Sequence, residues 1–271
     1  MSKSPNFGIF FIYIFEIWLG LYMIHKAIYL YIYYKMSFDE FVDLIPSQRQ
    51  KLLLQEIKSD NFANIHKFLS NEYIQQICPN IQNIFACLEY FDPSETRVVI
   101  IGQDPYHIPW VANGLAFSTG SGKVPQSLIN IYKEICSEYD LNYIDYKNSL
   151  TDLSSANIWD LSRRASQWVL LLNNCLSVEA HIPLSHSKIW WQIFTDSLIS
   201  KLSSEYSGIV FMLWWSLAHS KANLIDAKRH LILKWVHPSP LSANRWFFGC
   251  WHFLTCNSYL QKINKWTIEW L

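Results

Sequence analysis

Asp104, Tyr106 and His107 sit in the stretch "GQDPYH" (102–107), directly after the apolar run 98–101. A carboxylate, a phenol and an imidazole at the exit of a buried strand can offer one small ligand an anion, an aromatic wall and a hydrogen-bonding ring. Three more apolar runs end the same way. Run 169–172 gives way to Asn173 and Asn174, run 209–214 to Trp215 and Ser216, and run 231–236 to "HPSPLS", which opens on His237. Taken singly, each residue has a structural reading. Asp104 before Pro105 can start a turn, Asn173 can cap a strand or helix, Phe117 and Leu241 can be core, and His237 can be an ordinary surface histidine. Four polar clusters at four strand ends are explained more economically by one cleft.

The elements that must position these groups follow from the spacing. The four runs are short and apolar, and segments of helical periodicity such as 127–139 and 189–202 separate them. This alternation predicts an α/β fold with a central four-stranded parallel sheet flanked by helices on both faces, whose ligand lies beyond the carboxyl ends of the strands. Between residues 38 and 90 apolar residues recur at helical spacing, with breaks expected near Pro46 and Pro79.

Composition limits the partners. The chain has 271 residues, 51% of them hydrophobic, and a formal net charge of 0, so a large core is within reach and no global basic surface draws a polyanion. Any nucleic-acid contact must be local. The six cysteines lack paired spacing and read as reduced thiols of an intracellular protein. Cys250, His252 and Cys256 form a poor zinc pattern without a CxxC pair and are read as core and surface residues, so no metal is expected. Tryptophan is abundant at 13 residues and glycine scarce at 8, where usage of about 7% is ordinary.

Residues 6–34 are almost wholly apolar and aromatic. They admit three readings: a membrane anchor burdened by Glu16, an uncleaved targeting segment, or an extension ahead of a functional start at Met36. The third is preferred, because Ser37 and Glu40 have the spacing of a helix-capping pair. The expected organisation is an extension at 1–35 and one globular domain at 36–271.

The motifs, in their order, resemble those of the family-1 uracil-DNA glycosylases. "GQDPYH" is similar to that family's water-activating loop, "GLAFS" (114–118) to its base-stacking segment and "VPQSLINIYKEI" to its proline-rich loop. "LLLN" (170–173) resembles the uracil-recognition strand, and "HPSPLSA" (237–243) the loop that inserts into DNA. The similarity spans roughly the last five-sixths of the chain, and five ordered motifs are a specific signal. It implies a monomeric hydrolase that cleaves the N-glycosidic bond of deoxyuridine in DNA, starts base-excision repair and uses neither metal nor organic cofactor. Asp104 and His237 are the implied catalytic residues, Gln103, Tyr106, Phe117 and Asn173 the uracil-binding ones, and Ser127, Ser216, Ser239 and Leu241 the DNA-binding ones. The implied partners are uracil-containing DNA, single- or double-stranded, and a proteinaceous glycosylase inhibitor; the expected location is the cytoplasm, or the nucleus or an organelle in a eukaryote. The contrasting reading is a catalytically weakened homologue kept as a DNA-binding or replication-accessory module.

The chemistry fits those residue types. Breaking the bond leaves positive charge on the sugar and negative charge on the base, so a fixed anion and a hydrogen-bond donor are needed on opposite sides. An Asn amide can accept from uracil N3–H and donate to O4, a pattern that cytosine reverses. Tyr106 would fill the space of a thymine methyl, Phe117 offers a stacking face, and Leu241 is placed to fill the gap left by a flipped base. Serine contacts to phosphate reconcile a neutral chain with a DNA substrate.

Several positions depart from the family pattern. Trp168, Trp215 and Trp246 stand where glycine is usual, Trp110 follows "GQDPYHIP" with Ile108 also replacing a glycine, Asn113 replaces a histidine, Leu217 a polar residue and Arg164 a tryptophan. Where those glycines serve positive φ or close approach, an indole is expected to strain the backbone by about 1–3 kcal/mol, with Trp215 the most damaging. A nonstandard reading of codons is a further expectation that would account for them.

Overall fold

Val98–Gly102, Val169–Asn173 and Val210–Leu213 are buried at every position, the pattern of strands covered on both faces. In the computed structural model, which describes residues 36–71, 76–121, 124–151 and 159–271, they are three neighbouring strands of one sheet. The strands are β1 (Ile77–Cys78), β2 (Val98–Gly102), β3 (Val169–Asn173), β4 (Val178–Glu179), β5 (Val210–Leu213) and β6 (Leu231–Lys234). The four-stranded sheet has the order β3-β2-β5-β6 and every pairing is parallel. Its four strands are the four runs expected from the sequence, within two residues at each end. β1 and β4 make a separate antiparallel ladder.

The chain leaves β2 for β3 on one side and later returns to β5 on the other. The direction of winding therefore reverses at β2, and a crevice opens beyond its carboxyl end. The residues that follow β2 are "QDPYH".

Ahead of the sheet, helices Phe38–Asp43, Ser47–Leu52, Leu54–Ile57 and Asp60–Leu69 break where Pro46 enters, as expected. Beyond Pro79 helical spacing continues in the sequence, yet the chain forms only short 3₁₀ turns, the last fixed by an Asp92–Glu95 capping box around Pro93. Phe41, Phe62, Phe85 and Phe194 pack ring against ring, joining these helices to the helix Trp191–Glu205.

Glu134 and Glu138, on the helix Gln126–Glu138, are buried. Glu134 accepts hydrogen bonds from the backbone amides of Gly249 (2.8 Å), Cys250 (2.7 Å) and Trp251 (3.3 Å), and Glu138 from that of Leu254 (2.7 Å). Two carboxylates thus satisfy the orphan donors that open the helix His252–Lys262. Burial raises the Glu138 carboxyl to about 7. Cys250 lies within reach of this pair, but the carboxylates already serve backbone donors.

All six cysteines are free and buried. Arg164 is buried too and donates from Nε and a terminal nitrogen to the Trp270 carbonyl (3.1 and 2.9 Å). Residues 38–271 form a compact unit. No helix among the described residues is long and apolar enough to cross a membrane. The readings of residues 1–35 lie outside the described residues.

Candidate active site

The site is built from the strand exits outward. The register sets Gly102, the last residue of β2, beside Asn173, the last of β3. Beyond them the two exits are tied together: the Asn174 amide donates to the Gly102 carbonyl (2.9 Å) and the Cys175 amide to that of Gln103 (3.0 Å). The "GLAFS" segment runs along the other edge of β3, its Ala116 amide donating to the Leu171 carbonyl (3.0 Å). Together these pairings enclose a cleft of about 180 Å³, lined by Gln103, Asp104, Tyr106, Phe117, Ser127, Asn173 and His237 among others.

The expected catalytic and base-binding residues therefore meet in one place. Asn173 is 5% exposed, and its amide takes no hydrogen bond from the described residues. A buried amide facing a cleft with its donors and acceptor unused is primed for a ligand that matches both. Asp104 is held on one side by the Leu184 amide, which donates to Oδ2 (2.9 Å), and on the other by the Gln103 amide, which donates to Oδ1 (3.3 Å). Burial raises its carboxyl above the ordinary aspartate range, an effect that these two donors offset in part.

His237 is fixed in a single tautomer. The Ser239 amide donates to its Nδ1 (2.9 Å), so the ring proton sits on Nε2 and that nitrogen is the free donor. Burial lowers the imidazole to about 4, keeping it neutral. Its loop is anchored from a distance: Asn130, 4% exposed, donates to the Pro238 carbonyl (2.8 Å) while accepting from Gln126 (3.0 Å).

Phe117 packs against the rings of Trp214 (5.6 Å between centroids) and His237 (5.9 Å). It does so at φ 65°, a backbone region that a phenylalanine occupies only when its surroundings impose it. The Tyr106 hydroxyl donates to the Phe117 carbonyl (3.2 Å), which fixes the phenol as a wall. Burial pushes that phenol well above its usual range.

Three expected residues stand outside the cleft. Ser216 is exposed at the first turn of the helix Ser216–Ser220, Ser239 precedes the turn Pro240–Ser242, and Leu241 projects from that turn with 89% of its surface exposed. Sequence reasoning missed others. Pro183 lines the cleft and Leu184 supplies the amide that grips Asp104. Their loop carries no motif, and its only local signal is Pro183 between Ile182 and Leu184. Asn130 and the paired Glu134 and Glu138 lie in the helical segment 127–139, whose spacing singles out none of them.

The expected strain at tryptophan is divided. Trp110 (φ 69°) and Trp168 (φ 67°) occupy the left-handed region. Trp215 does not: its φ of −169° is extended backbone open to any residue, and its indole donates to the Ile101 carbonyl (3.3 Å) without lining the cleft. The expectation that Trp215 is the most damaging is corrected on that ground.

An open parallel α/β sheet with a small polar-tipped cleft at its switch point defines a class of ligand-binding α/β proteins. Comparison with known proteins narrows the class. Residues 88–261 match the model of the Uracil DNA glycosylase superfamily. The uracil-DNA glycosylase of Clostridioides difficile (strain 630) is 44% identical over 222 residues, covering 81% of this chain and 94% of the relative. That of Francisella tularensis subsp. tularensis is 43% identical over 222 residues, covering 81% and 96%. Among solved structures, the mimivirus uracil-DNA glycosylase has the same fold, with a TM-score of 0.74 at 24% identity over 87% of this chain and 90% of that one, and a variant of it was crystallised in complex with UGI. The chain belongs to the uracil DNA glycosylase superfamily.

Proposed function

We propose that this chain is a DNA N-glycosylase that excises uracil by hydrolysis and so begins base-excision repair. The observation that carries this reading is the meeting of Asp104, Asn173 and His237 in a single cleft floored by Phe117. An extruded uracil lies on Phe117, with its O4 and N3–H met by the unused Asn173 amide and Tyr106 excluding a 5-methyl group. As the bond from C1′ to N1 breaks, its electron pair departs with the base. The His237 Nε2–H then stabilises the growing charge on uracil O2 as a neutral donor. Asp104 faces the sugar, where its carboxylate stabilises the cationic carbon and orients the water whose oxygen forms the new bond to C1′, taking up that water's proton, which leaves with the uracil anion. Gln103 keeps that carboxylate in place.

Ser127, Ser216 and Ser239 are proposed to hold phosphates around the cleft, and Leu241 to enter the stack behind the flipped nucleotide. The partners proposed are uracil-containing DNA and, on the family resemblance, a proteinaceous inhibitor; the working form is proposed to be a monomer.

Release of free uracil from a single-stranded oligonucleotide tests the activity. Asp104→Asn and His237→Leu are each expected to lower the rate by on the order of 100-fold or more with unchanged far-UV circular dichroism. Near-normal turnover in either variant overturns the role given to that residue. Binding of the oligonucleotide without any release by the parent chain supports instead a weakened homologue that only binds DNA.

A further inference from the structure

Tryptophan is concentrated where the backbone is least hospitable to it. Among the described residues, four of the nine non-glycine residues in the left-handed region are Trp110, Trp168, Trp190 and Trp251, at φ 69°, 67°, 69° and 56°. Of the other five, Asp140, Asn264 and His181 are residue types that visit this region readily, and Phe117 and Leu184 belong to the cleft, whereas a bulky indole away from it is an outlier there. Glycine is the default occupant, because without a Cβ it adopts positive φ at no steric cost.

The side chains divide the same way. Trp191 and Trp214 are 1% and 0% exposed, and their indole N–H groups donate to Ser177 Oγ (2.7 Å) and His252 Nδ1 (2.8 Å). By contrast Trp110, Trp190 and Trp251 are 79%, 41% and 54% exposed. Trp190 and Trp251 precede the first turns of the helices Trp191–Glu205 and His252–Lys262 and make no side-chain cap. Glycine is accepted at that position and tryptophan is not a capping residue. Trp168 gains one contact, the Arg97 guanidinium 3.5 Å from its ring centroid. The whole chain has 13 tryptophans and 8 glycines, the imbalance expected if one type had been written for the other at a subset of positions.

We propose that the working protein carries glycine at positions 110, 168, 190 and 251, the codons written there as tryptophan being decoded as glycine in the cell. One codon suffices, since UGA differs by a single base from the tryptophan codon UGG and from the glycine codon GGA. Trp191 and Trp214, whose indoles are buried and bonded, are true tryptophans. Position 110 lies in the loop following His107, and position 168 directly precedes β3, which carries Asn173. Glycine at both relaxes the two segments that shape the cleft.

Two measurements decide the matter, and neither uses the substrate, so a failure here is separable from a failure of the uracil-excision reading. The coding sequence is expected to read UGA at the four positions and UGG at 191 and 214. The full-length chain with Trp110→Gly, Trp168→Gly, Trp190→Gly and Trp251→Gly combined is expected to melt higher than the all-tryptophan chain, by on the order of 10 °C. In the same assay Trp191→Gly and Trp214→Gly are expected to melt lower. UGG at the four positions, or a combined variant whose Tm is unchanged or lowered, overturns the proposal.

Discussion

The Asn173 amide occupies the space that a side chain on Gly102 would need: a Cβ built there would lie 2.3 Å from Asn173 Oδ1. The Asn173 amide and the strand end beside it are therefore fitted to each other. Gly102→Ala is expected to displace that amide and lower uracil release on the order of 100-fold while the fold persists, as a small misplacement at a reacting centre does. Steady-state excision alongside circular dichroism checks this; an alanine variant with parental kcat would mean that Asn173 does not set the base.

Asn130 is expected to act on His237 from behind. Asn130→Ala leaves the Pro238 carbonyl without its donor, at a cost of about 1–3 kcal/mol in stability. The loosened His237 loop should lower kcat more than it alters KM. A variant that melts lower yet keeps the parental kcat would reduce Asn130 to a purely structural role.

Leu241 contributes nothing to the core, being 89% exposed. Leu241→Ala should leave Tm unchanged and lower excision from duplex DNA roughly tenfold or more, with a much smaller effect on a single strand, where no base has to be unstacked. Equal losses on both substrates would remove the wedge assignment.

Stability should fall on acidification. Burial holds His186, His237 and His252 at about 4 in the folded chain, whereas in the unfolded chain they titrate near the ordinary 6.5. The unfolded state thus binds more protons between those values. The stability due to neutral burial is complete above 6.5 and is lost as pH falls toward 4, at up to about 1.4 kcal/mol per pH unit for each ring. Urea denaturation between pH 4 and pH 7.5 measures the slope, and a flat profile would contradict the buried neutral rings.

Much of the sheet was legible because a strand buried on both faces has to be a continuous apolar run, and its polar exit marks the ligand side. The runs at 98–101 and 169–172 are β2 and β3 to within a residue at each end. The stretch before residue 90 was less legible. Helical spacing there yields 3₁₀ turns after Pro79, because proline interrupts the helix and breaks the periodicity.

The sequence by itself determined the strands, their order along the chain and the polar residues at their ends, since these depend on local hydrophobic pattern and on where it breaks off. Only the tertiary structure decided what holds them. The Leu184 amide reaches Asp104 across 80 residues and Asn130 reaches Pro238 across 108, and no local spacing encodes contacts made by chain crossing. The left-handed backbone angles at Trp110, Trp168, Trp190 and Trp251 are likewise set by the tertiary structure, in a region that glycine occupies without steric cost.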